Sequence, residues 1–329
     1  MYQPEAYAAA LLFMFVSMIC WGSLANTQKL TKGFPFQLFY WDYVIGVILT
    51  SLLWGVSLGS LHGGASAFFP NLTHASTTNL LLAVLGGIIF NIANLLLVAA
   101  IAVAGMAVAF PVGIGLALVV GVVLNYIVQP KGNPLLLFGG VALVLIAIVL
   151  DAVAYKRRES NSSVTGRGVR LSIISGFLMG LFYPFVAKST LGEGGLGPYT
   201  VAFVFALGVG LCALPVNFFL MRRPLTGEPP VAMDRYAAAP MHWHLWGIIG
   251  GGIWCTGAVS NFVASHSNIV GPAISYAIGQ GATMVSAAWG VFVWREFASA
   301  PPASRRLIPW MFLFFLIGLG VIAIAPLYR

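Results

Sequence analysis

Residues 79–128 read NLLLAVLGGIIFNIANLLLVAAIAVAGMAVAFPVGIGLALVVGVVLNYIV, with no acidic, basic or histidine residue among them. About 18 apolar residues suffice to cross a bilayer as a helix, so this stretch holds two spans, over 79–101 and 106–128. Working outward, further spans fall at 6–27, 37–59, 134–155, 169–190, 198–220, 243–265, 271–293 and 307–327. Inside a bilayer every backbone N–H and C=O needs an internal partner, which makes each of these runs a helix. Nothing alternates in the short segments that a barrel would show. The expectation is an all-α integral membrane protein of ten transmembrane helices.

Composition excludes the other broad classes. Only 7% of the 329 residues are charged, against about 25% in soluble domains. The net charge of +8 reflects short basic loops, with no basic face of the kind that binds nucleic acid. Cys20, Cys212 and Cys255 lie scattered in apolar runs without the spacing of a metal or redox centre. No phosphate-binding loop or catalytic triad is visible, so the sequence predicts neither an enzyme nor an ATP-driven pump, and no cofactor or metal. The N-terminus lacks the basic region of a signal peptide, and its first apolar stretch is read as a retained helix.

The loops set an orientation. All Lys and Arg residues except Lys131, Lys188 and Arg329 fall on one side, in the loops after spans one, five, seven and nine. The positive-inside rule places those loops in the cytoplasm of a cell (plasma or inner) membrane, with both termini outside. The polar stretch 156–170 divides the chain into a first half at 1–158, a linker at 159–168 and a second half at 169–329. Five helices per half invert the second half relative to the first. At an offset of 166, Gly86, Gly105, Ala107, Gly113, Gly115 and Val119 meet Gly252, Gly271, Ala273, Gly279, Gly281 and Val285, and Phe110 meets Tyr276. Together these predict two inverted five-helix repeats, an arrangement that carriers use to alternate access.

Two segments, GGIIFNIANLLLVAAIAVAGMAVAFPVGIG (86–115) and GGGIWCTGAVSNFVASHSNIVGPAISYAIGQG (250–281), resemble the paired segments of the drug/metabolite transporter superfamily. Phe39–Tyr43, Leu124-Asn125-Tyr126 and the run from Trp289 to Phe297 resemble its ureide permease and glucose/ribose porter branch. The resemblance spans nearly the whole chain, the middle linker being the main departure. It implies proton-linked import of a small neutral polar solute, a ureide or nucleobase-like compound, with a pentose or hexose as the alternative. Helix one carries no embedded glutamate, unlike the small multidrug members, which argues against a cationic-drug exporter.

Amides and aromatics form the candidate binding set, because amides both donate and accept and rings stack on flat solutes. Asn91 and Asn94 share one helix face, Asn261 lies two turns beyond Trp254, Tyr276 and Gln280 are one turn apart, and Trp21, Asn26 and Tyr183 complete the set. Interhelical hydrogen bonding is the competing role for each. Asp42 is the acid lying deepest within a span, so it is the candidate for proton coupling or gating, with an ion pair to Lys29 or another basic residue of the same cytoplasmic layer as the structural alternative. Lys188, near the outer end of helix six, either gates the cavity or reaches back to the interface. Asn71-Leu72-Thr73 and Asn161-Ser162-Ser163 match the glycosylation sequon.

Overall fold

The computed structural model describes residues 1–158, 166–225 and 229–328. Among them there are helices and no strands. The first half contains α1 (Tyr7–Ser23), the short α2 (Ala25–Lys29), α3 (Phe36–Val56), the short α4 (Phe68–His74), α5 (Thr77–Ala104), α6 (Met106–Val128) and α7 (Pro134–Arg158). The second contains α8 (Gly166–Ser189), α9 (Pro198–Arg222), the single turn α10 (Asp234–Ala237), α11 (Met241–His266), α12 (Pro272–Gly279), α13 (Ala282–Ala288), α14 (Pro302–Arg305) and α15 (Leu307–Ile324). Nine helices among the described residues are long and apolar enough to cross a membrane, with α1 and α2 forming one near-continuous span.

Local chemistry sets the helix starts. The Ser76 side chain accepts from the Asn79 amide at 3.2 Å to cap α5, and Asn133 Oδ1 accepts from Leu135 and Leu136 at the start of α7. Proline opens α7, α9 and α12, where its missing N–H costs nothing. α5 turns directly into α6 through Gly105 at φ 75°, and α12 starts from Gly271 at φ 76°. A side chain at either φ would be strained, so glycine is required at both.

The segment 271–293, expected as one helix, is interrupted. α12 stops at Gly279, α13 begins at Ala282, and a π-helical turn over Trp289–Val293 follows. Two glycines flank Gln280 there, and poor helix formers in succession favour a break. The helix expected at 169–190 begins earlier: α8 starts at Gly166. Glu159 and the sequon Asn161-Ser162-Ser163 lie outside the described residues.

One helix crossing occurs twice. Gly46 of α3 lies against the Ile248 carbonyl of α11, and Gly251 of α11 against the Tyr43 carbonyl of α3. Likewise Gly208 of α9 lies against the Val84 carbonyl of α5, and Gly87 of α5 against that of Phe205. At each position a Cβ would overlap the facing backbone. Without a hydrophobic driving force between helices in lipid, this close approach supplies the van der Waals contact.

One face of the bundle is basic. There Glu296 accepts from Lys29 at 2.8 Å, Tyr155 at 2.9 Å and Arg158 at 3.1 Å, tying α2 and α7 to the segment after the π turn. Burial raises the Glu296 carboxyl, but these donors and the Lys29 charge outweigh it and hold it below the ordinary carboxylate value. On the opposite face Tyr7 donates to the Ala323 carbonyl, and Lys131 to that of Ser267 at 3.1 Å.

Candidate substrate cavity

A cavity of about 230 Å³ lies between α1, α3, α5, α8, α11 and α13, walled by the rings of Trp21, Tyr43, Phe90, Phe182 and Trp254. It shares Leu24, Ala25, Tyr43, Asn94 and Ser286 with a vestibule of about 570 Å³. Gln28, Phe36, Val98, Ala102 and Leu225 are among the residues that line that vestibule. It therefore leads toward the basic face.

The aromatic box is rigid by mutual packing. Trp21 and Trp254 stack with ring centroids 6.2 Å apart, and Phe90 sits 4.4 Å from Trp254. Trp21 Nε1 donates to the Trp254 carbonyl at 3.2 Å, which locks its ring. Four polar groups facing this space have no partner among the described residues: the Gln280 amide, Asn94 Oδ1, the Tyr43 hydroxyl and Trp254 Nε1. The nearby Ser286 hydroxyl is likewise unpaired there, whereas Thr283 donates to the Gln280 carbonyl at 2.9 Å. The break after Gly279 turns Gln280, Thr283 and Ser286 toward the cavity together.

The structure separates the predicted site residues into groups. Trp21, Asn94, Trp254 and Gln280 line the cavity. Asn91 is fully buried behind it, accepting from Tyr40 at 2.7 Å, and Tyr40 also contacts the Asn94 amide at 3.4 Å. Asn26 accepts from Trp294 at 2.6 Å and donates to Ser23, so its amide is occupied at the basic face. Tyr183, Asn261 and Tyr276 are fully buried in a separate polar cluster and do not reach the cavity. Lys188 is exposed at the end of α8.

Asp42 is buried but lies outside the cavity lining. Its partners are the Tyr236 hydroxyl at 2.5 Å and His244 Nδ1 at 2.8 Å. Lys29 reaches Glu296 instead of Asp42, and the basic residue placed against Asp42 is His244. Burial, reinforced by the Asp42 carboxylate, pushes the Tyr236 phenol above its ordinary value. Phe34 packs against Tyr236, Trp243 and His244, closing this cluster over Asp42.

Comparison with known proteins fits this geometry. A family model described as ureide permease matches residues 39–166. Two Arabidopsis thaliana proteins, ureide permease 1 and ureide permease 4, are each 22% identical over 100% of this chain and 100% of their own length. The likeness is to ureide permeases. Ureide permease 3 of the same plant is 26% identical over 54% of this chain and 53% of its own length. A solved crystal structure shares the fold at a TM-score of 0.62 and 16% identity, over 95% of this chain and 96% of that one. With nine apolar helices of spanning length among the described residues and end-to-end similarity to ureide permeases, this is a multi-pass membrane protein. The same likeness lends no support to the sugar alternative.

Proposed function

We propose that this protein is a secondary transporter that imports a ureide-type solute by alternating access. The observation that carries the proposal is the aromatic-walled cavity, lined by Asn94 and Gln280 and continuous with the vestibule toward the basic face. A ureide joins carbonyl acceptors to N–H donors in a flat neutral group. Tyr43 and Trp254 supply donors for the carbonyl, Asn94 Oδ1 accepts an N–H, and the Gln280 amide does either. The stacked rings of Trp21 and Trp254 form an aromatic wall beside the solute. The two named permeases are similar over the full length of the chain, which supports the substrate class.

In this reading the broken α12–α13 segment is span nine, which with the nine continuous helices among the described residues makes ten, and the chain forms two inverted halves. The doubled glycine crossing and the matching Gly105 and Gly271 conformations support that symmetry. Discontinuous helices at a repeat interface are where such carriers bind their solutes. The basic face is cytoplasmic and the termini are outside, so the cavity faces inward. Proton coupling is assigned to Asp42 with His244, a carboxylate–imidazole pair within the spans and off the solute path.

The experiment is thermal stabilisation of purified protein against ureides, nucleobases and hexoses, followed by flux into liposomes. Ligand linkage predicts stabilisation by ureides that grows with concentration. Stabilisation by hexoses alone, or the absence of saturable ureide flux, overturns the proposal.

A further inference from the structure

Tyr183, Asn261, Ser275 and Ser17 form a buried hydrogen-bonded cluster apart from the cavity lining. Asn261 is fully buried and fully paired: Oδ1 accepts from Tyr183 at 2.5 Å and from Ser275 at 2.9 Å, while Nδ2 donates to the Ser275 carbonyl at 2.9 Å and to Ser17 at 3.1 Å. The Ser275 carbonyl can only accept, which fixes the amide's orientation. Tyr276, at 5.1 Å from the Tyr183 ring, reaches across to the carbonyls of Ala117 and Met179. This layer lies beyond the cavity, on the side away from the basic face.

The two sides of the cavity differ in one respect. Toward the basic face, Leu24 and Ala25 at the end of α1 line the vestibule together with Val98 and Ala102 of α5. By the 166-residue offset, the corresponding elements on the other face are α8 and α11. These are joined directly by the Tyr183–Asn261 hydrogen bond and by Tyr183 packing on Phe262 at 5.5 Å. A buried polar network that is fully satisfied rigidifies its surroundings and has two discrete arrangements, made or broken.

We propose that Tyr183 is the gate on the face opposite the basic one, with its bond to Asn261 as the latch that breaks when the solute path opens there. The inference rests on the alternating-access reading, but its readout does not depend on which solute is carried. A cysteine is placed at the buried Ala264, one turn beyond Asn261, after Cys20, Cys212 and Cys255 are replaced by serine or alanine. Its labelling rate by a membrane-impermeant maleimide is then measured in proteoliposomes. Tyr183→Phe keeps the ring and removes the latch, so labelling is expected to rise about three- to tenfold, the range of one hydrogen bond's net contribution. Tyr199→Phe removes a buried hydroxyl that has no partner among the described residues and is expected to leave labelling unchanged.

If Tyr183→Phe fails to assemble, Ser275→Ala loosens Asn261 from its other donor and is expected to raise labelling by a smaller factor. Unchanged labelling in a folded latch variant overturns the gate, even where ureide flux is intact. Loss of ureide binding with the labelling increase retained would instead count against the substrate assignment alone.

Discussion

The Asp42 carboxylate and the His244 imidazole meet at 2.8 Å within the membrane-spanning part of the bundle, outside the cavity lining. Removing the Asp42 carboxylate leaves the Tyr236 hydroxyl and the His244 imidazole without their shared partner, at a cost of about 1–3 kcal/mol. Asp42→Ala is therefore expected to lower the unfolding temperature by several degrees. Asp42→Asn, which can keep the bond from Tyr236, is expected to lower it less. Thermal unfolding in detergent checks the order. If proton-driven uptake by Asp42→Asn keeps its normal pH dependence, the coupling assignment fails.

Asn94 Oδ1 and the Gln280 amide line the cavity without a partner among the described residues, while Asn94 Nδ2 reaches Tyr40. Asn94→Ala and Gln280→Ala are each expected to weaken ureide binding about three- to tenfold, one hydrogen bond apiece. Titration calorimetry measures this directly. Affinity unchanged in both variants would move the binding site elsewhere.

Glu296 carries a pH signature. Its folded pKa lies below the ordinary value of 4.5, so the folded state binds its proton less readily than the unfolded chain. The stabilisation is complete above about pH 5 and fades as pH falls through the unfolded value toward the lower folded one. Glu296→Gln is expected to lower stability at neutral pH and to flatten the acid limb of the melting profile. A limb as steep as the native one would mean that other carboxylates set it.

The doubled glycine crossing predicts paired costs. Gly251→Ala and Gly87→Ala each drive a methyl into a facing carbonyl and are expected to destabilise by about 1–3 kcal/mol, the range for overpacking. The two costs should be similar, because the crossings are alike. Gly320→Ala, with nothing within 4 Å, is expected to be neutral or slightly stabilising. Unfolding temperatures of the three variants decide the matter.

Much of this is legible in the order of residues. The long apolar runs locate the spans, since a bilayer admits few alternatives to a helix. The run 271–293 reads as continuous but is broken where Gly279 and Gly281 flank Gln280, a local feature that a hydropathy average smooths away. Of the proposed site, Trp21, Asn94, Trp254 and Gln280 follow from chemistry and spacing. Tyr43, Thr283 and Ser286 do not: a tyrosine among aromatics, or a hydroxyl residue on an apolar helix, shows its direction only after packing. Tyr183, Asn261 and Tyr276 have the same chemistry as the cavity residues but are satisfied within the protein, and sequence does not distinguish a paired amide from a free one. His244 and Tyr236 are hidden as partners of Asp42 because they come from the distant loop and helix start that fold back over α3.

The stacked Trp21–Trp254 pair has a spectroscopic consequence. Two indoles with centroids 6.2 Å apart and planes inclined by 18° are close enough for their excited states to couple. A solute entering beside them changes both their polarity and their coupling. Near-ultraviolet circular dichroism and tryptophan emission should therefore follow occupancy without an added label, giving the protein an optical readout built into its own cavity wall.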